Sequence, residues 1–427
     1  MNIYKMYEVT KKNIYNHWHL LTLLLIFVFF IFLRFYLLEA KSSFGWDQVD
    51  NAWAAKNIIV DKKLPLVGMQ AKGSSGFFIG PYYYYLLVPV YFLTNLDPIA
   101  SGIFAGITSV ISFFIIYFIT RSLFSNKIAL LAVFFYTVSN HMIIFDRVQW
   151  PVNFILPVSI LIFFSLFKII TGNSKFFLLL AGAFGLSLHV HFTSVFYPIL
   201  FVFCLPFIPR TKQALKYFIF SIPIFLFFLI PQIIFSFVSN ATTERNAMNY
   251  IGTYYHGFHL RRFFQLTADA FIEFEAILYF RILKYLGWLL IPIFSFLYLL
   301  HNKEKTKRIF VMLTVLWFIV PWIAFSTYKG EISDYYFSIT IPLVLIIISY
   351  VIYNMLTYNF ITKMVVGLFL LSYVFFNINS FWNTNNKGLD NIRKSVNAEI
   401  MAGQLIPFTQ GDPQSYIYYI YNQRQSK

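Results

Sequence analysis

Leu20–Leu33 reads LLTLLLIFVFFIFL, and Ile341–Ile352 reads IPLVLIIISYVI. Neither run has a polar face. A helix lying on a water-soluble core carries an apolar stripe with polar residues opposite, whereas about 20 residues that are apolar all round match the hydrocarbon thickness of a bilayer. Both runs therefore read as membrane spans, and the composition agrees. Of 427 residues, 59% are hydrophobic and 12% charged, with Phe alone at 54 positions; soluble domains carry roughly 25% charged residues. A soluble globular enzyme is excluded, and the chain reads as an all-α integral membrane protein.

Apolar windows place spans near 19–38, 99–120, 128–144, 152–170, 176–190, 194–208, 217–237, 278–300, 309–326, 336–356 and 359–378, about eleven transmembrane helices with the N-terminus in and the C-terminus out. Lys11 and Lys12 precede the first, but His19 to Leu38 is too long for a signal peptide and no small-residue cleavage site follows, so it reads as an uncleaved span. The short loops on the inner side then collect Arg121, Lys127, Lys168, Lys175, Arg210, Lys212, Lys216, Lys303, Lys305, Lys307, Arg308 and Lys363, while the short outer loops hold only Arg147 and Lys329. This asymmetry satisfies the positive-inside rule. The segment PYYYYLLVPVYFL, Pro81 to Leu93, would reverse every later loop if it crossed. As helix it is under about 20 Å long, so it reads as interfacial, with its tyrosines at headgroup level.

The net charge of +16 is assigned to topology and anionic lipid, with no nucleic acid partner. Cys204 is the single cysteine, which rules out an intrachain disulfide and a Cys-based metal site. Of 17 acids only Glu8 and Glu304 fall on the inner side. The chain divides into a transmembrane domain, 1–378, that includes long external loops at 39–98 and 238–277, and a small external tail, 379–427. Interfacial helices are expected in the first loop and a helix or two in the tail. No repeat, Walker A or dinucleotide fingerprint occurs, so neither an ATP-driven pump nor a dehydrogenase is suggested. Any chemistry belongs to the external face.

Five stretches carry residues suited to it. In the first loop, FGWDQVDNAWAAKNIIVDKKLPLVGMQAKGSSGFFIGPYYYY, Asp47 follows the first span and Asp50 lies three residues on, on the same face of a helix. Such a carboxylate at the membrane surface suits a general base; equally, both acids can be solvated groups at a helix start. Lys72 stands in the turn AKGSSG, where backbone amides and a cation can cradle a phosphate. Asp146 and Arg147 precede Trp150-Pro151, either a site or an aromatic anchor with a surface ion pair. His189 and His191 in LHVHF are two apart and point apart on a helix, so joint metal ligation requires broken geometry. Lys329, Glu331 and Asp334 crowd the external turn STYKGEISDYYF.

Taken in order, an Asp after the first span, a Lys-bearing Gly/Ser turn before an aromatic Pro-Tyr-Tyr-Tyr helix, an Arg-x-x-Trp-Pro turn and a Gly-x-x-Leu-His-x-His segment resemble the polytopic GT-C-type glycosyltransferases, near the protein O-mannosyltransferase-like and lipid A aminoarabinose transferase-like families. The resemblance implies a polyprenyl-phosphate-linked sugar donor, transfer outside the cytoplasm at the cell membrane, and a first-loop carboxylate as base, which is Asp47 here. It places Lys72 and Arg147 on the donor phosphate. Mannosyltransferase-type members carry Asp-Glu where this chain has Asp47-Gln48, which leaves Asp50 or Asp146 as partner acid. The expected reaction is inverting transfer to a lipid, glycan or protein acceptor. A cation from Lys72 or Arg147 can neutralise the leaving phosphate, so no cofactor is required, although a divalent metal stays open. A transporter or flippase of lipid-linked saccharide is the alternative, and a structural subunit of an envelope assembly a third reading.

Overall fold

The structure is a computed structural model that describes residues 3–71, 75–255, 257–300, 304–384, 388–409 and 411–425. Among the described residues, eight helices are long and apolar enough to cross a membrane: His17–Phe35, Ile99–Leu123, Pro151–Ile170, Lys212–Val238, Leu283–Leu300, Lys305–Ser326, Tyr335–Thr357 and Phe360–Asn383. They coincide with eight of the expected spans. The three expected near 128–144, 176–190 and 194–208 are shorter apolar helices, Asn126–Val138, Phe176–Ser187 and Phe192–Phe207. The chain is a multi-pass, all-helical membrane protein. Among the described residues, strand-like pairing is limited to the bridges Gln70–Phe78 and Tyr255–Tyr328.

The segment near 128–144 is shorter than expected because its helix breaks at Ser139 and restarts as Asn140–Phe145. In an apolar environment the backbone groups freed by a break need new partners. The carbonyls of Tyr136 and Thr137 accept from the Arg34 guanidinium, each at 2.7 Å. On the other side, the Asn140 amide donates to Asn377 Oδ1 at 2.8 Å. Arg34 ends the first span and is fully buried. Its Nε donates to Asp146 Oδ2 at 2.9 Å, and Tyr136 Oη donates to Asp146 Oδ1 at 3.0 Å.

Arg147 returns the exchange. The last four carbonyls of a helix have no intrahelical donor, and Arg147 donates to Leu33 (2.9 Å), Tyr36 (2.8 Å) and Leu37 (3.1 Å), where the first span ends. A third cation, Lys41, donates to Phe381 (2.9 Å), Thr384 (3.2 Å) and Trp382 (3.4 Å) at the end of Phe360–Asn383. Three helix ends thus lie at one level of the bundle, each closed by a positive side chain, the favourable sign for the negative end of a helix dipole.

Above this level sit the helices Trp46–Ile59 and Tyr82–Leu93. The second is a short apolar helix of 12 residues: its start lies against His189, and just past its end the Leu96 carbonyl accepts from Tyr416 Oη at 2.9 Å. The tail forms two helices, Leu389–Met401 and Pro413–Gln425. They share a hydrophobic cluster with the first loop that includes Phe44, Val49, Leu87, Val396, Tyr416 and Ile420. Two arginines fasten them: Arg393 pairs with Glu39 at 2.8 Å and with Asp97, and Arg424 pairs with Asp97 at 2.9 Å. Burial opposes ionisation of Asp97, yet the Ile99 amide and these two guanidinium groups hold its carboxyl below the usual range.

The Arg34–Asp146 pair gives a direct test. Removing one partner of a buried ion pair strands the other charge, at about 3–5 kcal/mol. Arg34→Ala should therefore lose most of its monodisperse protein in size-exclusion chromatography after mild heating, and Arg147→Ala, which leaves no buried counter-charge, should lose less. Equal survival of Arg34→Ala and wild type would contradict the assignment.

Candidate active site

Asp47 lies in the first turn of Trp46–Ile59. That turn is held by amides. Gln48 Oε1 accepts from the Gly45 N–H at 2.8 Å, Gln48 Nε2 donates to the Gln149 carbonyl at 2.7 Å, and Gln149 Nε2 donates to Tyr83 Oη at 2.8 Å. The chain of bonds ties three elements together: the first-loop helix, the turn after Phe145 and the tyrosine-rich helix. It also accounts for glutamine at 48, since a carboxylate there has no hydrogen to give a carbonyl.

The Asp47 carboxyl is half-buried and has no hydrogen bond or ion pair with the described residues. Burial, and then the Asp50 charge one turn on, raise its pKa above the ordinary carboxylate value. Asp50 Oδ2 accepts from Tyr84 Oη at 2.6 Å; burial raises Asp50 as well, with the tyrosine bond opposing. Two close carboxylates with raised pKa values form the arrangement in which one ionises reluctantly and can take up a proton.

The other expected residues are placed as follows. Lys72 lies outside the described residues; on either side of it, Ala71 N–H donates to Phe77 O at 3.0 Å and Ile79 N–H to Met69 O at 3.0 Å. Arg147 and Asp146 are buried and turned into the bundle, on carbonyls and on Arg34, so neither faces Asp47. The sequence reading took them for a phosphate contact and a partner acid because it had no view of the helix ends below them.

His189 is a pin. Its Nε2 donates to the Phe228 carbonyl at 3.0 Å, and its Nδ1 accepts from the Tyr82 amide at 3.4 Å, an arrangement for a neutral ring. Pro231 opens this part of Lys212–Val238: it has no N–H for the carbonyl four residues back, and that carbonyl, Phe227, accepts from Tyr82 Oη at 3.0 Å. Gly80 is obligatory here, because a Cβ would stand 1.8 Å from His189 Nδ1.

His191 faces elsewhere. Its Nδ1 lies 3.0 Å from Thr193 Oγ1, and its ring meets Tyr335 and Tyr336 at 5.5 and 5.4 Å. The two histidines therefore do not share a ligand position, and among the described residues no group of three or more His, Cys, Asp and Glu side chains converges. Lys329 and Glu331 are exposed; the Lys329 amide donates to the Tyr254 carbonyl at 2.8 Å. The Asp334 side chain lies outside the described residues. Trp150, 5.0 Å from Tyr335, links this turn to the Gln149 bonds and hence to Asp47. One pair escaped the sequence reading: His141 Nε2 lies 3.4 Å from Glu273 Oε2, with Glu273 buried. Nothing in local spacing joins residues so far apart in the chain.

Beside Gly80 opens a cavity of about 480 Å³, lined by Ala71, Ile79, Leu188, Leu229, Ile233 and Phe237, with Gln232, Ser236, His191 and Glu244 among its polar groups. It lies against Lys212–Val238, whose outward residues are exposed and apolar, as expected of a surface facing lipid.

Comparison with known proteins gives a consistent answer. Residues 80–235 match the family described as dolichyl-phosphate-mannose-protein mannosyltransferase. ArnT from Cupriavidus metallidurans, bound to undecaprenyl phosphate, superposes with a TM-score of 0.58, covering 95% of this chain and 68% of that one at 11% identity. The chain has the GT-C fold. The apo form of the same ArnT gives a TM-score of 0.57 at 12% identity, with the same coverage. The oligosaccharyltransferase AglB from Archaeoglobus fulgidus, in complex with an inhibitory peptide and a dolichol-phosphate, gives 0.53 at 11% identity, over 94% of this chain and 61% of that one. No curated protein sequence matches the chain. At such identities the structural likeness concerns the fold.

Gln48→Glu tests the amide bonds that hold the Asp47 turn. Facing a carboxylate to the Gln149 carbonyl should cost about 1–3 kcal/mol, seen as a lower melting temperature in detergent, whereas Gln48→Met should cost less than the charged variant. A Glu variant as stable as wild type would show that the bond to Gln149 is dispensable.

Proposed function

We propose that this chain is an inverting glycosyltransferase that moves a sugar from a polyprenyl-phosphate carrier to an acceptor at the external face of the cell membrane. The observation that carries the reading is Asp47, a half-buried, unpartnered carboxylate of raised pKa at the start of a first-loop helix in a chain of the GT-C fold. The match to a dolichyl-phosphate-mannose family over 80–235 supports it. So do structures of this fold with undecaprenyl phosphate and with dolichol-phosphate.

In this reading Asp47 takes the proton of an acceptor hydroxyl as its oxygen attacks the anomeric carbon. The new bond forms opposite the breaking carbon–oxygen bond, whose electron pair leaves with the lipid phosphate, and the anomeric centre inverts. General-base help of this kind contributes about 10²–10⁴ in rate. The growing charge on the phosphate needs a cation. Arg147 is committed to three carbonyls, which leaves Lys72 for that role, and a cation there removes the need for a divalent metal. The cavity of about 480 Å³ against Lys212–Val238 suits the first isoprenes of the carrier.

Labelled sugar incorporation from a polyprenyl-phosphate donor should be lost in Asp47→Asn with the melting temperature unchanged, and strongly reduced in Lys72→Ala. Full activity in Asp47→Asn would sink the reading. A pH series tests the base separately. Asp47 must be ionised to act, so activity should fall as pH drops through its raised pKa, at a pH above the ordinary carboxylate value of about 3.9. Because the Asp50 charge is one of the two causes of that shift, the acidic limb of Asp50→Asn should move to lower pH. A limb that stays in place would assign the titration to another group.

A further inference from the structure

On the far side of the tyrosine-rich helix from the carrier cavity lies a second cleft, of about 670 Å³, within the rough 300–1,000 Å³ range of small-molecule sites. The two share no lining residue. The wall between them is the start of Tyr82–Leu93: Tyr82 turns to His189 and Phe227, whereas Tyr84 bonds Asp50 and Tyr85 Oη bonds the Pro65 carbonyl. One side of the second cleft is a single helix face, Trp46, Asp50, Trp53, Ala54 and Asn57; the tail closes the other side with Phe408, Gly411 and Tyr419. Asp47 is on the same helix, seven residues before Ala54 and so in line with it at the border of that face.

The chemistry of this lining differs from that of the carrier cavity. Trp46 is 62% exposed. One edge of its indole is covered by Gly411, where φ is +76° and a Cβ would stand 2.0 Å from Trp46 Cε3, so the chain there passes as close to the ring as a backbone can. Asp50 gives one oxygen to Tyr84 and keeps Oδ1 free, and the Asn57 amide and the Lys63 ammonium have no partner among the described residues. An aromatic plane beside a carboxylate, an amide and an ammonium matches a pyranose ring, which has an apolar C–H face and a rim of hydroxyls that both donate and accept. The polar rim disfavours a lipid tail. A peptide taken up as an added strand needs a sheet edge, and among the described residues no strand borders the cleft, whose wall is helices with the loop residues Lys63, Leu64, Pro65, Phe408 and Gly411.

We propose that this cleft binds a saccharide unit of the acceptor, so that the hydroxyl presented to Asp47 belongs to a glycan. The proposal rests on the glycosyltransferase reading for the word acceptor, but saccharide binding itself is measurable without transfer.

The test uses the full chain in lipid nanodiscs without any lipid-linked donor. Saturation-transfer NMR with methyl pyranosides and short oligosaccharides should show binding to wild type. Affinity should fall about tenfold in Trp46→Ala and also fall in Asn57→Ala, with Trp46→Phe retaining part of it and all three melting as wild type does. No binding to wild type, or binding unchanged in these variants, would overturn the proposal; so would displacement by an acceptor-like Ser/Thr peptide. A polyprenyl-phosphate sugar that displaces the saccharide from the Asp47→Asn protein, where plain polyprenyl phosphate does not, would move the sugar site to the donor and overturn the acceptor assignment. If transfer persists while saccharide binding fails, the cleft is wrong and the enzyme reading stands. If binding holds while Asp47→Asn stays fully active, the cleft stands and the enzyme reading fails.

Discussion

Helix ends inside a membrane protein leave carbonyls that neither water nor the helix itself can satisfy, and in this chain three such ends stop at one level. The answer is an exchange of cations. Arg34 leaves the first span to close the helix that breaks at Ser139, Arg147 closes the first span, and Lys41 closes Phe360–Asn383. Each of these residues is followed by a segment of the end that carries Asp47. Arg147 is followed within two positions by Gln149, which holds the turn bearing Asp47. Lys41 is followed by Ser42, whose carbonyl accepts the Leu389 amide and so seats the first tail helix. The placement of the catalytic candidate is thus a by-product of finding donors for stranded carbonyls.

The same logic recurs at Pro231. A proline in a spanning helix leaves a carbonyl open, and the hydroxyl of Tyr82 goes to it while His189 bonds the next one along. The tyrosine-rich helix is therefore fixed at one end by a defect in a neighbouring span and, past its other end, by the tail through Tyr416. Both of its ends are thereby held by tertiary contacts.

Much of this was legible in the chain. Of the eleven spans expected from uniform apolar runs, eight coincide with long apolar helices and three with shorter ones, and the short length of Pro81–Leu93 kept it from being counted among them. Asp47 sits where the Trp46–Ile59 helix begins. What could not be read were partners distant in the chain. Arg147 resembled a phosphate contact because an arginine next to Trp-Pro in a turn says nothing of which carbonyls lie beneath it. The i, i+2 spacing of His189 and His191 already set their rings apart, but it could not name their partners, Phe228 for one ring and Tyr335 for the other. The tail was expected to hold a helix or two, with no partner named. Its alternation of Ile and Tyr carries no sign of the aromatic and aliphatic faces it meets on the first loop.

The shared cluster of first loop and tail also has a bearing on biosynthesis. Ribosomes deliver Phe44 to Tyr91 early and Val396 to Ile420 only after every spanning helix has been made. Until then the outward faces of Trp46–Ile59 and Tyr82–Leu93 stand without their cover, and Asp97 waits for both of its arginines. The end that carries the first loop is completed last, when the tail docks on it. A nascent chain stalled before residue 388 holds all eight long apolar helices but lacks the tail half of the cluster on the first loop.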